Sequence, residues 1–171
     1  MQTIADLRQR FPPNGFVEWI GIATEPRGPI QVLESVEVAM PTGIVGEHHA
    51  NKGNSKRQVT LIQAEHLEVV AGLLGRETLP PELTRRNVVV RGINLIALKE
   101  QNFRIGTAVL RGSGPCVPCS RMEFNLGFGG YNAMRGHGGL NAVVVEPGRI
   151  SVGDPVQWVE TSKTDADRSL F

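Results

Sequence analysis

Residues 84–112 read TRRNVVVRGINLIALKEQNFRIGTAVLRG, and their reading decides the fold. Val88, Val89 and Val90 form a β-branched run, Gly92 interrupts it, and Ile93, Leu95, Ile96 and Leu98 follow as a second apolar run. That pattern predicts a strand, a turn or bulge, and another strand. Phe103 to Arg111 alternates apolar and polar residues and predicts one more. Short apolar runs separated by single breakers are the signature of a β-rich domain.

Working outward toward the N-terminus, VTLI (59–62) predicts a strand, and Gln63 to Arg76 a helix with Leu67, Val70, Leu73 and Leu74 on its core face and Gly75 near its end. Before it, PTGIVGEHHANKGNSKRQ (41–58) carries three glycines, His48, His49 and a basic end at Lys52, Lys56 and Arg57. A loop this long in a compact domain points to function. FVEWIGIAT, a turn at EPRGP and IQVLESVEVAM read as a hairpin, with Ile30, Val32, Val36 and Val38 at period two. Residues 1–15 predict a short helical extension through Ile4, Leu7 and Phe11, packed on the domain and stopped by Pro12 and Pro13.

Toward the C-terminus, residues 112–142 (GSGPCVPCSRMEFNLGFGGYNAMRGHGGLNA) hold both cysteines, eight glycines, Arg121, Arg135 and His137. Glycine entropy and the missing amides of Pro115 and Pro118 predict loop rather than regular structure for most of this run. AVVVEPGRISVGDPVQWVE then supplies a strand, a Pro-Gly turn and a final strand, and 161–171 is a polar tail. Seven or eight short strands with one substantial helix and no βαβ alternation predict a mainly β domain with minor α, an antiparallel barrel with helical decoration.

Composition narrows the function classes. With 40% apolar and 20% charged residues and a net charge of +1, nothing points to a nucleic-acid partner. No apolar run approaches the ~20 residues a bilayer-spanning helix needs, and the first residues lack the apolar core of a secretory signal, so a cytoplasmic chain without membrane partners is expected.

The chemistry-bearing residues cluster at strand ends. Cys116 and Cys119 form C-V-P-C, which fits buried small side chains, a redox dithiol, half of a zinc site completed by His48, His49 or His137, a thiolate for a soft transition metal, or a sulfur-carrying nucleophile. Arg85, Arg86 and Asn87 open a strand; a guanidinium suits a phosphate and an asparagine amide suits a heterocycle edge. Adjacent arginines in extended chain point to different sides, so one of the two is expected in a site. Arg57, beside Gln58, has the same character. His137, between glycines and near Tyr131 and Arg135, is placed to close over a pocket.

Six blocks in order, GIVGEHHA, KRQVTLIQAEHL, ELTRRNVVVRGINLIAL, FRIGTAVLRGSGPCVPCSRME, GYNAMRGHGGLNAVVV and GRISVGDPVQW, resemble the MOSC domain, named from the C-terminal part of molybdenum cofactor sulfurases. The resemblance runs from about Trp19 to Val159, within a domain taken as residues 16–160. It implies a barrel-rich fold, a molybdenum cofactor (molybdopterin) site, and a cysteine that binds the metal or carries sulfur; Cys119 matches that cysteine best, so Cys119 is the implied metal ligand and catalytic thiol. Arg85 or Arg86 with Asn87 match the family's Arg and Asn pair, and Arg57 and Arg135 are further candidate cofactor contacts, with His137 a candidate proton donor.

One departure stands out. The family's G-D-[basic]-H segment reads Gly46, Glu47, His48, His49 here, so a longer carboxylate replaces aspartate. The chain carries no pyridoxal-phosphate sulfurase, flavin or iron–sulfur module. Two functions are therefore expected: an oxidoreductase that reduces the N–O bond of a small molecule with electrons from an external donor, or a sulfur carrier charged by a cysteine desulfurase. A barrel-like binding module with a decayed site is a third reading.

Overall fold

A computed structural model of the chain describes residues 1–52 and 55–160; the polar tail expected at 161–171 lies outside the described residues. In chain order the elements are α1 (Ile4–Arg8), β1 (Gly15–Ile22), β2 (Gln31–Leu33), β3 (Ser35–Ala39), β4 (Gly43–Ile44), β5 (Val59–Gln63), α2 (Ala64–Leu73), β6 (Val88–Arg91), β7 (Asn102–Ile105), β8 (Ala108–Pro115), α3 (Ser120–Leu126), α4 (Gly130–Met134), β9 (Leu140–Glu146), β10 (Gly148–Ser151) and β11 (Pro155–Val159). Short 3₁₀ turns cover His48–Lys52, Pro81–Thr84 and Leu95–Leu98.

The strands run β11-β7-β8-β9-β5-β6-β1, and β11 pairs back onto β1 to close a seven-stranded barrel, with β2 attached to β1. A second sheet, β10-β3-β4, lies beside it. The expected hairpin is therefore split: β2 pairs with β1, whereas β3 leaves for the second sheet.

The barrel is mixed, which corrects the antiparallel expectation. β5 and β6 are parallel, Leu61 opposite Val88 and Gln63 opposite Val90. Parallel neighbours need a crossover of a dozen or more residues, and residues 64–87, including α2, supply it. Val59–Gln63 and Val88–Val90 are buried on both faces, as a covered parallel pair must be. Val59, Leu61, Val88 and Val90 point into the barrel with Phe103, Ile105 and Leu110. Ile62 and Val89 point outward, under a helical layer contributed by α2, α3 and α4 through Leu67, Val70, Met122, Leu126 and Met134.

Other expectations shift for identifiable reasons. The core face of α2 is Ala64, Leu67, Val70 and Ala71, and Leu73 is exposed. Gly75 at φ +65° ends the helix, its amide bonded to the Gly72 carbonyl. Leu95–Leu98 is a 3₁₀ turn rather than a strand, with Leu95 and Leu98 plugging the core and Ile96 exposed. The loop expected over 112–142 instead holds the end of β8, α3, α4 and the start of β9. The first helix buries none of its residues; Phe11 alone reaches the domain and stacks on Trp158 at 5.8 Å. Among the described residues, no helix is long and apolar enough to cross a membrane.

Candidate functional site

An open cleft of about 500 Å³ lies where the N-terminal ends of β5 and β6 meet the start of α3. Thr60 of β5, Arg85 and Asn87 before β6, Ala23 after β1, the Glu47–His49 segment and Arg57 form one side; Cys119, Ser120, Arg121 and Phe124 come from the start of α3. Arg27 from the β1–β2 turn also lines it. Four guanidinium groups and one carboxylate thus surround an exposed thiol.

The two cysteines are unequal. Cys119 is exposed, at the N-cap position of α3, whereas Cys116 is 2% exposed and its amide donates to the Gly139 carbonyl at 2.9 Å. Arg86 explains the difference. It is buried at 3% exposure, and its Nε donates to the Gly138 carbonyl at 2.9 Å, Nη1 to Thr84 at 2.8 Å and Nη2 to the Cys116 carbonyl at 3.0 Å. This ties the cysteine loop to the segment that leads into β9. Gly138 is required at the junction, since a Cβ there would lie 2.0 Å from the Cys116 oxygen. Arg86, a candidate cofactor contact, does not line the cleft: three of its N–H groups go to main-chain carbonyls, and it positions the loop that bears Cys119.

Asn87 likewise has its amide engaged by the protein. It lines the cleft, but its Oδ1 accepts from the Thr60 amide at 3.1 Å and hydroxyl at 2.9 Å, while Nδ2 donates to Gly21 at 3.3 Å and to Glu47 at 3.0 Å. No amide hydrogen is left for a heterocycle. Its work is to hold Glu47, which also accepts from the Ala23 amide at 2.9 Å. Burial would raise the Glu47 carboxyl, but the His49 hydrogen bond, the Ala23 amide and the charges of both histidines hold it below its ordinary value.

Arg85 does face the cleft. Its backbone is left-handed at φ 58°, and Nη1 donates to the Gly28 carbonyl at 2.9 Å, which anchors the side chain. Burial and then the Arg121 charge lower its proton affinity, Glu47 opposing. Arg121 lies 5.1 Å from the Phe124 ring centroid, and its Nε is buried with no hydrogen-bond partner among the described residues. Two cations pressed toward one cavity and an unsatisfied donor favour an anion there.

Arg135 and His137 do not line this cleft. Arg135 is exposed at the end of α4. His137 packs edge-on against His66 at 5.0 Å, and the Nδ1 atoms of both are buried without partners among the described residues. A smaller cavity of about 260 Å³, lined by His66, Val117 and Pro118 among others, lies on that side of the cysteine loop. Sequence reasoning missed Arg27 and the buried role of Glu47, since both depend on contacts made across the fold.

The MOSC domain family model matches residues 47–157, which include the cleft residues from Glu47 to Phe124. Comparison of the sequence with curated proteins finds no match. Among solved structures, the YuaD protein of Bacillus subtilis is 20% identical at a TM-score of 0.75, covering 90% of this chain and 100% of that one. YiiM of Geobacillus stearothermophilus is 18% identical at a TM-score of 0.68, covering 85% of this chain and 75% of that one. YiiM of Escherichia coli is 17% identical at 0.67, covering 88% and 72%. At these identities the structural likeness speaks for the fold, and the family model speaks for descent: the chain belongs to the MOSC domain family.

Proposed function

We propose that the chain binds a molybdenum cofactor in the cleft, offers Cys119 to the metal, and reduces N-hydroxylated small molecules with electrons from a separate reductase. The observation that carries this reading is the exposed Cys119 thiol set in an arginine-lined cleft. A molybdopterin-type group brings a phosphate, a flat heterocycle and a soft metal. The residues present fit all three: Arg57, Arg85 and the unsatisfied Arg121 Nε for the phosphate, Ala23, Ile30 and Phe124 for the ring, and Cys119 for the metal.

When bound, the cofactor supplies a Lewis-acidic metal with redox chemistry. The chain's residues supply the setting. Arg85, already fixed to Gly28, meets the anion without having to be ordered on binding. Arg86 and Gly138 hold the loop so that the thiol projects from the start of α3. His137 has no part in this reading, because its side chain packs on His66 away from the cleft. Metal and pterin analysis of freshly purified protein tests it: molybdenum and pterin are expected together, and Cys119→Ser is expected to lose the metal. Full cofactor affinity in that variant would sink the ligand assignment.

The exposure of Cys119 also favours a second reading, a sulfur carrier. Its thiolate would attack the outer sulfur of a cysteine desulfurase persulfide, taking that sulfur and leaving the donor's thiolate behind. Mass spectrometry after incubation with a desulfurase and cysteine should find one added sulfur on Cys119. If none appears on either cysteine, this reading fails.

A further inference from the structure

Within the same cleft, three consecutive side chains form a second cluster that the thiol does not join. Ligand atoms of Glu47, His48 and His49 all lie within 4.8 Å of one another. Glu47, 5% exposed, divides its two oxygens between different tasks. Oε2 accepts from the Ala23 amide and the Asn87 side chain. Oε1 is faced by His48 Nδ1 at 2.5 Å and His49 Nδ1 at 3.3 Å, and the Ala23 carbonyl is 3.0 Å from His48 Nδ1.

Without a cation, both imidazoles must turn an N–H toward one carboxylate oxygen, and His48 must share its hydrogen with a carbonyl as well. Donor atoms around one tetrahedral ion, each about 2.0–2.1 Å from it, stand roughly 3.3 Å apart. The Glu47 Oε1–His49 Nδ1 spacing of 3.3 Å matches that shell, the Oε1–His48 Nδ1 spacing of 2.5 Å is tighter, and all three ligand atoms lie within 4.8 Å of one another. The carboxylate is held from behind as metal-binding carboxylates are: Asn87 grips Oε2 and is itself gripped by Thr60.

We propose that Glu47, His48 and His49 form a binding site for a borderline divalent cation of the Zn²⁺ class, separate from the Cys119 thiol. Two imidazoles and one carboxylate suit zinc or cobalt better than magnesium or calcium. Three side-chain ligands leave a coordination position for water or a small anion. Arg57 and Arg85 share the cleft, so the ion binds against like charge and micromolar rather than nanomolar affinity is expected. The site does not rest on the molybdenum reading.

The test uses the full chain, freed of bound metal by chelation, in a Cys119→Ser background so that no exposed thiolate can contribute. Titration with Co²⁺, followed by its visible d–d bands, and with Zn²⁺ by calorimetry should show one equivalent bound, without a thiolate charge-transfer band. Adding His48→Ala and His49→Ala should weaken binding at least tenfold and abolish the rise in melting temperature that Zn²⁺ gives the parent. Circular dichroism and the urea midpoint verify that the variant is folded; should it not be, His49→Ala alone, whose side chain is 35% exposed, serves the same comparison. Absence of binding at submillimolar Zn²⁺ in Cys119→Ser, or undiminished binding in the folded histidine variant, overturns the proposal.

Discussion

Replacing Arg86 by methionine should be among the costliest single changes in the chain, and its signature is specific. The side chain is buried and satisfies the carbonyls of Thr84, Cys116 and Gly138 at 2.8, 3.0 and 2.9 Å. A buried acceptor left without its donor costs about 1–3 kcal/mol. Three such losses, partly offset because a buried charge no longer has to be desolvated, give roughly 3–5 kcal/mol. That is a large share of the ~5–15 kcal/mol holding a domain together, and it corresponds to a melting temperature lower by about 10 °C or more. Urea unfolding measures the cost. A thiol reagent under native conditions measures its location, because the parent should present one fast thiol, Cys119, with Cys116 protected. In Arg86→Met the second thiol should become reactive. Arg86→Lys should restore little, since one ammonium cannot span three carbonyls in the guanidinium's fork. A loss under about 1 kcal/mol with Cys116 still protected would refute the assignment of Arg86 as the clamp on this loop.

Glu47 gives a pH prediction. Its folded carboxyl lies below the ordinary 4.5, so the stability it contributes is complete above the unfolded value and is lost as pH falls through the folded one. Urea midpoints measured across that acidic window should fall less steeply in Glu47→Gln than in the parent. Gly138→Ala should cost about 1–3 kcal/mol from overpacking against Cys116, read by thermal unfolding. Leu67→Ala should cost about 2–5 kcal/mol, whereas Leu73→Ala, 62% exposed, should stay within roughly 0.5 kcal/mol in the same assay. Arg85→Ala should weaken inorganic pyrophosphate binding several-fold by calorimetry, and unchanged affinity would remove Arg85 from the anion site.

Much of the barrel was legible because its strands announce themselves locally. VVV (88–90) and AVVV (142–145) are apolar runs bounded by breakers and fall in β6 and β9, whereas Phe103–Arg111, expected as one strand, is an antiparallel pair, β7 and β8, turning at Gly106 and Thr107. Direction was not legible. VTLI and NVVV are continuous apolar runs with no marked face, and the sequence between them reads as one helix plus a proline turn; only the crossover through α2 makes the pair parallel. Leu73 misled because a helix face is defined by what lies beneath it, and the layer under α2 lies toward Leu67 and Ala71. In the site, residue types were right more often than their tasks. Arg85 and Arg86 are adjacent and chemically identical, yet a left-handed φ at Arg85 turns one into the cleft while the other is buried among carbonyls. Glu47 could be read only as a departure from a family pattern, because the partner that fixes its carboxylate, Asn87, is forty residues away.

The barrel's closing seam has a consequence of its own. β11 meets β1 through two residue pairs, Gly15 with Val156 and Phe16 with Pro155, where proline contributes no amide to the ladder, extended by the Val17 amide on the Asp154 carbonyl and the Gly153 amide on the Val17 carbonyl. By contrast, β8 and β9 share six pairs. Amide exchange should therefore be unevenly distributed around the ring, with β11 and the start of β1 trading hydrogens for deuterium well before β8 and β9. The cylinder would breathe by unzipping along that one line, leaving the β5–β6 pair that carries the cleft protected in the half that stays shut.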